Sequence, residues 1–338
     1  MAERDLVVVT GEQVRELLAG REQDVVAAVL GAYRAHARGE SSLPHSAFVH
    51  CPAPRASRII ALPGFLGDGF DVAGVKWIAS FPGNLEQGLA RASAVLVLNS
   101  PRTGRAEAIL EASLISAART AASAAAAASL LLAGDTPERV GLIGTGLINR
   151  EIARYLRVCL PETSSFLLYD LHPERAAAAA HWLRRTAPEV EVALADSAQQ
   201  VLDRCQLVSF ATTAARPHVA DLASCPRGAV LLHISLRDLA PEAILTCDNV
   251  VDDRDHVCRA QTSLHLAEQL SGSRDFIRCT LAEISAGTAP ARAGNGTAVF
   301  SPFGLGILDL AVGKLVRDLA LARGSHLTIP AFQPLADP

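Results

Sequence analysis

The sequence predicts an α/β protein in which a doubly wound parallel sheet is joined to a second, discontinuous α+β lobe. The first observation behind this is the run VGLIGTGLINREIARYL, from Val140 to Leu156, where an apolar strand passes through a glycine turn into an apolar-periodic helix. The second is the alternation that follows it to about Val251. Short apolar strands (VGLIG, FLLYD, VEVAL, LVSFAT, AVLLHIS, NVVDD) are separated by helical stretches, the pattern of a parallel sheet covered on both faces. The third is the different texture of the preceding residues, which read as mainly antiparallel strands.

In chain order, LVVVT suggests a strand and Thr10 the start of a helix. Candidate antiparallel strands then fall at Ser46 to His50, Ser57 to Leu62, Val72 to Ser80 and Ala92 to Asn99, the last pair being joined by a turn from Asn99 to Gly104 with Pro and Gly in it. ISAARTAASAAAAASLLLAG is dominated by alanine and reads as a buried helix between the lobes, stopped at Gly134. Its single charge, Arg119, is costly to bury unless anions meet it. After the strands of the wound sheet, 254 to 296 reads as helical and loop-rich. A Pro-Phe-Gly break then precedes a helix through Leu310, Val312, Leu315, Val316 and Leu319, expected to cross back to the first lobe. The expected boundaries are 1–118 with 302–338 for the α+β lobe and 119–301 for the wound-sheet domain.

The composition narrows the class of ligand. A chain of 338 residues that is 50% apolar can bury a large core. A net charge of -4, without a basic block, argues against a nucleic-acid or anionic-membrane surface, and so for small molecules. The start, MAERDLVVVTGEQ, lacks signal-peptide character and no uninterrupted apolar run reaches spanning length, which predicts a cytoplasmic protein. Seven cysteines without a C-x-x-C pair read as reduced and mostly buried thiols, and the dispersed histidines predict no metal site.

The glycine turn suits a dinucleotide. Gly144 permits the tight turn, Gly146 removes a Cβ that would block the phosphates, and the helix that follows offers unpaired N–H groups to negative charge. Thr145, Leu147, Ile148 and Asn149 complete the candidate cofactor segment, Asn149 standing where a third glycine is usual. Asp170 ends the next apolar run, 21 residues after Asn149, where an acid suits ribose hydroxyls; no Arg follows it, which favours NAD over NADP.

Polar groups also fall at strand ends: Lys76 within AGVKWIASF, Thr212 and Thr213 after LVSFA, and Ser235, Arg237 and Asp238 after AVLLH. Lys76 is either an inward cation for a substrate carboxylate or a solvent-facing residue of an alternating strand. Asp238 has three readings: a general base, a partner for Arg237, or the N-cap of a helix beginning near Pro241. Thr212 and Thr213 read as hydroxyl contacts to cofactor. A Ser/His/Asp hydrolase is disfavoured because no G-x-S-x-G elbow exists.

Taken in order, GVKW, FPGN, TGRAEAILEASLISAARTAASAAAAASLL, GLIGTG, FATT and HISLRDLAPE resemble the ornithine cyclodeaminase and μ-crystallin family from about residue 43 to 323. The resemblance implies that the first domain binds substrate and forms a homodimer through the amino-terminal strands, that the second is an NAD-binding Rossmann domain, and that the chemistry is at a carbon bearing an amine. Lys76 and Arg119 are similar to the family's carboxylate-binding cations, and Asp238 to its residue for water and protons. A narrower likeness, in LPHS, RIIALP, KWIASFPGN and HISLRDL, is to the SbnB-type branch, the N-(2-amino-2-carboxyethyl)-L-glutamate dehydrogenases of 2,3-diaminopropionate biosynthesis. That implies oxidative hydrolysis of a tricarboxylate, supply to siderophores or peptide antibiotics, and a PLP-dependent partner enzyme using O-phosphoserine and glutamate. Arg58, Arg91, Arg237 and His45 are the further candidate cations, with Ser80 and Asn84 helping to set the pocket. The alternatives are a cyclodeaminase, alanine dehydrogenase or ketimine reductase of the same family, and a non-catalytic binding protein, which retention of Lys76, Arg119 and Asp238 together speaks against.

Overall fold

The computed structural model describes residues 4–50, 57–292 and 294–334, so Cys51 lies outside the described residues. The chain divides into two compact units, 1–119 with 305–338, and 120–304.

In the first unit β1 (Leu6–Val9) runs into α1 (Gly11–Leu18) through a capping box in which Thr10 and Gln13 exchange side-chain-to-backbone hydrogen bonds. α2 (Glu22–Ala37) follows, then β2 (Ser41–Ser42), β3 (Ala47–His50), β4 (Arg58–Leu66), β5 (Val72–Ser80), β6 (Ala92–Asn99) and β7 (Ala106–Glu111). α3 (Ser113–Leu132) begins in this unit and runs past its boundary at Arg119. The chain returns from the second unit as α11 (Gly306–Arg323) and β16 (Leu327–Ile329). β4 to β7 pair as antiparallel neighbours in succession. Their sheet has the order β16-β1-β7-β6-β5-β4-β2, with β3 also on β4.

Strand alternation gives this sheet two faces. Leu62, Lys76, Leu96, Leu98 and Leu110 are buried on the face that α11 covers. The other face leaves Trp77 44% and Val95 42% exposed, side by side in register on β5 and β6. Gly74 is required by the pairing itself: a Cβ there would lie 2.1 Å from the Val97 carbonyl oxygen.

The second unit is an all-parallel sheet of eight strands in the order β10-β9-β8-β11-β12-β15-β13-β14. In chain order its elements are β8 (Val140–Ile143), α4 (Leu147–Cys159), β9 (Ser165–Tyr169), α5 (Pro173–Thr186), β10 (Glu191–Leu194), α6 (Ala198–Arg204), β11 (Leu207–Phe210) and β12 (Val230–His233). There follow α7 (Pro241–Leu245), β13 (Asp248–Val251), α8 (Arg254–Val257), α9 (Ser263–Ser271), β14 (Ile277–Thr280), α10 (Leu281–Ser285) and β15 (Ala298–Ser301). β8, β11 and β12 are buried at every position, which is why they read as continuous apolar runs; β15 is equally buried. The winding reverses between β8 and β11, and the crevice outside the carboxyl ends of strands at such a reversal is where wound sheets bind ligands.

Several expectations need correction. β1 is parallel to β7, so the first sheet is mixed. β4 extends to Leu66, beyond the expected Leu62. β14 and β15 were not read as strands: IRCT lies inside the stretch read as helix and loop and has no continuous apolar run, and AVFS leads directly into the Pro-Phe-Gly break. β16 is three residues long and exposed throughout, so it gave no continuous apolar run. α3 is long and apolar enough by length and composition to cross a bilayer, although Arg119 interrupts its apolar run, and 72% of its most apolar window is buried in the fold. Of the six described cysteines, all free, only Cys205, Cys258 and Cys279 are buried.

Candidate active site

In the first unit, Lys76 faces inward from β5 and is 1% exposed, which excludes its solvent-facing reading. Its Nζ donates to Asp309 Oδ2 at 2.6 Å and Ser116 Oγ at 3.1 Å. Arg119 Nε donates to the other oxygen, Asp309 Oδ1, at 3.1 Å, and its Nη2 lies 3.4 Å from Ser116 Oγ. Asp309 is wholly buried on α11. One carboxylate thus pairs with two cations, leaving an excess of one positive charge in a dry site, the condition for holding a ligand carboxylate. Burial, and then the charge of Arg119, push Lys76 down from its ordinary value of 10.5; Asp309 partly restores it, and it settles at about 8. Asp309 escaped the sequence reading. Its signal was an acid alone in the apolar run GILDLAVG.

A second cationic station lies on the same face of the same sheet. Arg58 on β4 is paired with Ser80 on β5, and Leu62 on β4 with Lys76, so Arg58, Leu62, Lys76 and Ser80 share one face. Four residues of strand set the two stations roughly 13 Å apart at their backbones. Arg91 enters β6 just before Ala92, which pairs with Ser80, and its carbonyl accepts from Phe81 N. Burial, and then the charge of Arg58, push the Arg91 guanidinium down. Among the described residues neither Arg58 Nε nor Arg91 Nε has a hydrogen-bond partner although both atoms are buried. Two half-buried arginines that repel one another, with Nε atoms that lack acceptors among the described residues, could accept an anion. Asn84 serves the loop between β5 and β6, its Nδ2 donating to Ala90 O at 3.0 Å. His45 is exposed.

In the second unit, the turn after β8 fits a dinucleotide. Gly144 has φ +79°, and a Cβ on it would lie 2.6 Å from Ala211 O. Gly146 has nothing within 4 Å of the Cβ position and forms the N-cap of α4 without a side-chain cap, so the first N–H groups of the helix face a cradle that any side chain would fill. Thr145 donates to Asp170 Oδ2 from its N at 2.8 Å and its Oγ1 at 3.0 Å, and His172 N donates to Oδ1 at 3.0 Å. Asp170 is thereby fixed beside the turn, only partly buried. Asn149, in contrast, is wholly buried. Its Nδ2 donates to Ile143, Gly144 and Ser209 carbonyls, and its Oδ1 accepts from Ser209 Oγ at 2.7 Å. The residue in place of a third glycine therefore staples the turn to β11 with its side chain, and only its backbone is left for a cofactor. Leu147 is exposed at the helix start and Ile148 half-buried behind it.

Asp238 lies beyond the carboxyl end of β12, and its side chain is entirely buried. Its Oδ1 accepts from the Thr212 hydroxyl and lies 3.1 Å from His218 Nε2; its Oδ2 accepts from the Ser235 hydroxyl. Burial alone would raise this carboxyl, but contacts with His233, Ser235 and Thr212 outweigh it and hold it below the ordinary carboxylate range. The His233 contribution needs a proton on Nε2, which lies 3.5 Å from Oδ2 and already receives the Asp238 backbone N–H at 3.1 Å. That donor requires a lone pair there, so His233 is neutral with its proton on Nδ1, toward Ser301 Oγ at 3.2 Å, and the hydroxyls sustain the ionised carboxylate. The helix after Asp238 has Ala240 as its N-cap, with no side-chain cap, so the cap reading of Asp238 is overturned. Arg237 points elsewhere, its Nη2 donating to Ala260 O at 2.6 Å, and Thr213 is exposed. His218 was missed by the sequence reading, since RPHV offers no periodic signal.

Two outcomes follow from the buried cations. Asp309→Asn leaves Lys76 and Arg119 without their anion and should destabilise the protein by about 3–5 kcal/mol, read as a fall in the denaturation midpoint; an unchanged midpoint would show that the pair contributes nothing. Lys76 titrates near 8 when folded, so the KM of a carboxylate substrate should climb as pH rises past 8. Stability should move the opposite way. Between about 8 and 10.5 the unfolded chain binds more protons at this lysine, so unfolding free energy gains with pH in that window.

The family model described as ornithine cyclodeaminase/mu-crystallin family matches residues 5–324. N-((2S)-2-amino-2-carboxyethyl)-L-glutamate dehydrogenase of Staphylococcus aureus (strain NCTC 8325 / PS 47) is 26% identical over 336 residues, covering 97% of this chain and 99% of that one. Among solved structures, CmnK superposes with a TM-score of 0.87 at 26% identity, covering 98% of this chain and 100% of its own. An archaeal alanine dehydrogenase dimer with bound NAD has a TM-score of 0.85 at 24% identity, covering 96% of this chain and 99% of its own, a likeness of fold. With the model matched over nearly its whole length, the chain belongs to the ornithine cyclodeaminase/mu-crystallin family.

Proposed function

We propose that this chain is an NAD-dependent dehydrogenase of a secondary amine, converting N-(2-amino-2-carboxyethyl)-L-glutamate to 2,3-diaminopropionate and 2-oxoglutarate. The observation that carries the substrate is the pair of cationic stations anchored by Lys76 and Arg58 on one sheet face, Lys76 sharing Asp309 with Arg119 and Arg58 standing near Arg91. A ligand with carboxylates at both ends satisfies both; alanine satisfies one. The relative from Staphylococcus aureus supports the same reading. Bound NAD supplies the hydride acceptor, held by the Gly144–Gly146 turn, the α4 N-terminus and Asp170. The cations orient the substrate through its carboxylates, and the Asp238 cluster manages protons as the imine formed on the substrate is hydrolysed. We place the enzyme in the cytoplasm, fed by a PLP-dependent synthase and feeding siderophore or peptide-antibiotic assembly. We also assign it a homodimer through the sheet face that exposes Trp77 and Val95, in line with the dimeric alanine dehydrogenase of the same fold.

Titration with both cofactors should show NAD binding well and NADP poorly, because Asp170 repels a 2′-phosphate; equal affinity would remove Asp170 from the ribose. Incubation of the protein with NAD and the glutamate adduct should give NADH, 2-oxoglutarate and 2,3-diaminopropionate by mass, at least tenfold faster than with ornithine or alanine, since an unmatched buried group costs roughly 1–3 kcal/mol. Conversion of ornithine to proline with the adduct inert would return the chain to the cyclodeaminases. Light scattering under reducing conditions should give twice the chain mass of 35.5 kDa; a monodisperse monomer sinks the dimer.

A further inference from the structure

Asp238 is poorly placed to exchange protons with anything outside the protein. Its side chain has no exposure, and a carboxylate offers about four lone-pair positions. Thr212 Oγ1 accepts from Ala214 N at 3.1 Å, so its single proton is turned to Asp238. Ser235 takes the other oxygen, with His233 Nε2 packed 3.5 Å behind it. Among the described groups around the carboxylate, Thr212 and Ser235 are half-buried and His218 is the most open, its side chain 42% exposed while Nε2 stays 3.1 Å from Asp238 Oδ1.

The main chain fixes that contact. His218 N and Val219 N both donate to Asp238 O at 2.9 Å, and Ala240 N donates to Val219 O at 2.8 Å, so a short parallel bridge locks the loop after β11 to the loop after β12. Both loops leave carboxyl ends of strands beside the reversal of winding, on the ligand edge of the sheet.

We propose that His218 is the general base of the hydrolytic step and that Asp238 is its positioning residue, fixing the Nε2–H tautomer and leaving Nδ1 as the proton acceptor. This rests on the reading above only in requiring a reaction that passes through an imine. As water adds to the imine carbon, a C–O bond forms and His218 takes a water proton. It returns that proton to nitrogen, accepts the hydroxyl proton as the C–N bond breaks, and gives it to the departing amine. The pair has the logic of a histidine oriented by a buried acid, with water in place of a side-chain nucleophile. The groups facing His218 are Asp238 directly and His233 behind the same carboxylate, with Arg216 two positions earlier in the loop.

His218→Gln keeps a donor for Asp238 and removes titration. It should bind NAD as the native protein does, keep KM, lose about 10²-fold in kcat, and flatten the acid limb of the kcat profile. His218→Gly should recover turnover with added imidazole. Native kcat and pH profile in His218→Gln would overturn the assignment and return the base to Asp238. ¹⁵N spectra of ring-labelled histidine test the tautomer without substrate. The His218 proton should be on Nε2 and shift in Asp238→Asn; a proton on Nδ1 would overturn the proposal even if the glutamate adduct is the substrate. An adduct that is not oxidised by native protein, with the Nε2 proton in place, instead overturns only the substrate reading.

Discussion

The interaction on which the first unit depends is the sharing of one buried carboxylate, Asp309, between Lys76 and Arg119. The three residues come from β5, α3 and α11 and lie up to 233 positions apart in sequence. Each of these charges would be expensive to bury alone, so the contact forms only when all three elements have reached their places. It also leaves the site one positive charge in excess. In the proposed function, structural tie and ligand anchor are the same contact, so a change to Asp309 would alter both.

Three buried aspartates show how surroundings set the work of one side chain. Asp309 faces cations and acts as a counter-ion. Asp252, 1% exposed, accepts from the backbone N–H groups of Asp253, Phe303 and Gly304, and so shapes the Pro-Phe-Gly break before α11; with no cation beside it, burial pushes its carboxyl up. Asp238 faces hydroxyls and histidines, stays ionised, and is linked to the exterior through an imidazole. Of the three, the last arrangement couples a buried charge to an imidazole that is itself exposed.

What was legible in the sequence was local. The turn from Gly144 to Asn149 could be read because its geometry is set by residues within a few positions of one another, and strands β8, β11 and β12 because burial on both faces writes a continuous apolar run. Asp309 and His218 were missed because their meaning comes from partners 190 to 233 and 20 residues away, outside any window in which periodicity is measured. The N-cap reading of Asp238 failed for a related reason. An acid before a proline-led helix fits the capping pattern, but the helix starts after Ala240 and the carboxylate had stronger partners at Thr212 and Ser235. Lys76 needed only the sense of the alternation, which the strand alone does not state and its register with Leu62 and Leu96 does.

The spacing of charge along β4 and β5 is what the proposed tricarboxylate reading rests on. Lys76 and Arg119 with Asp309 already suffice for one carboxylate, and a further pair of arginines in repulsion would then only cost stability. Arg58 and Arg91 keep buried Nε atoms without acceptors among the described residues, on the same edge of the sheet as Ser80. Such a pair is tolerable if an anion neutralises it in the working state. An anion at that station and another at Lys76 must belong to one elongated ligand or to two separate ones. A secondary amine with its reacting carbon between terminal carboxylates is the case in which filling both stations also fixes the C–H bond to be broken, so that binding at the far end contributes to orientation at the near one.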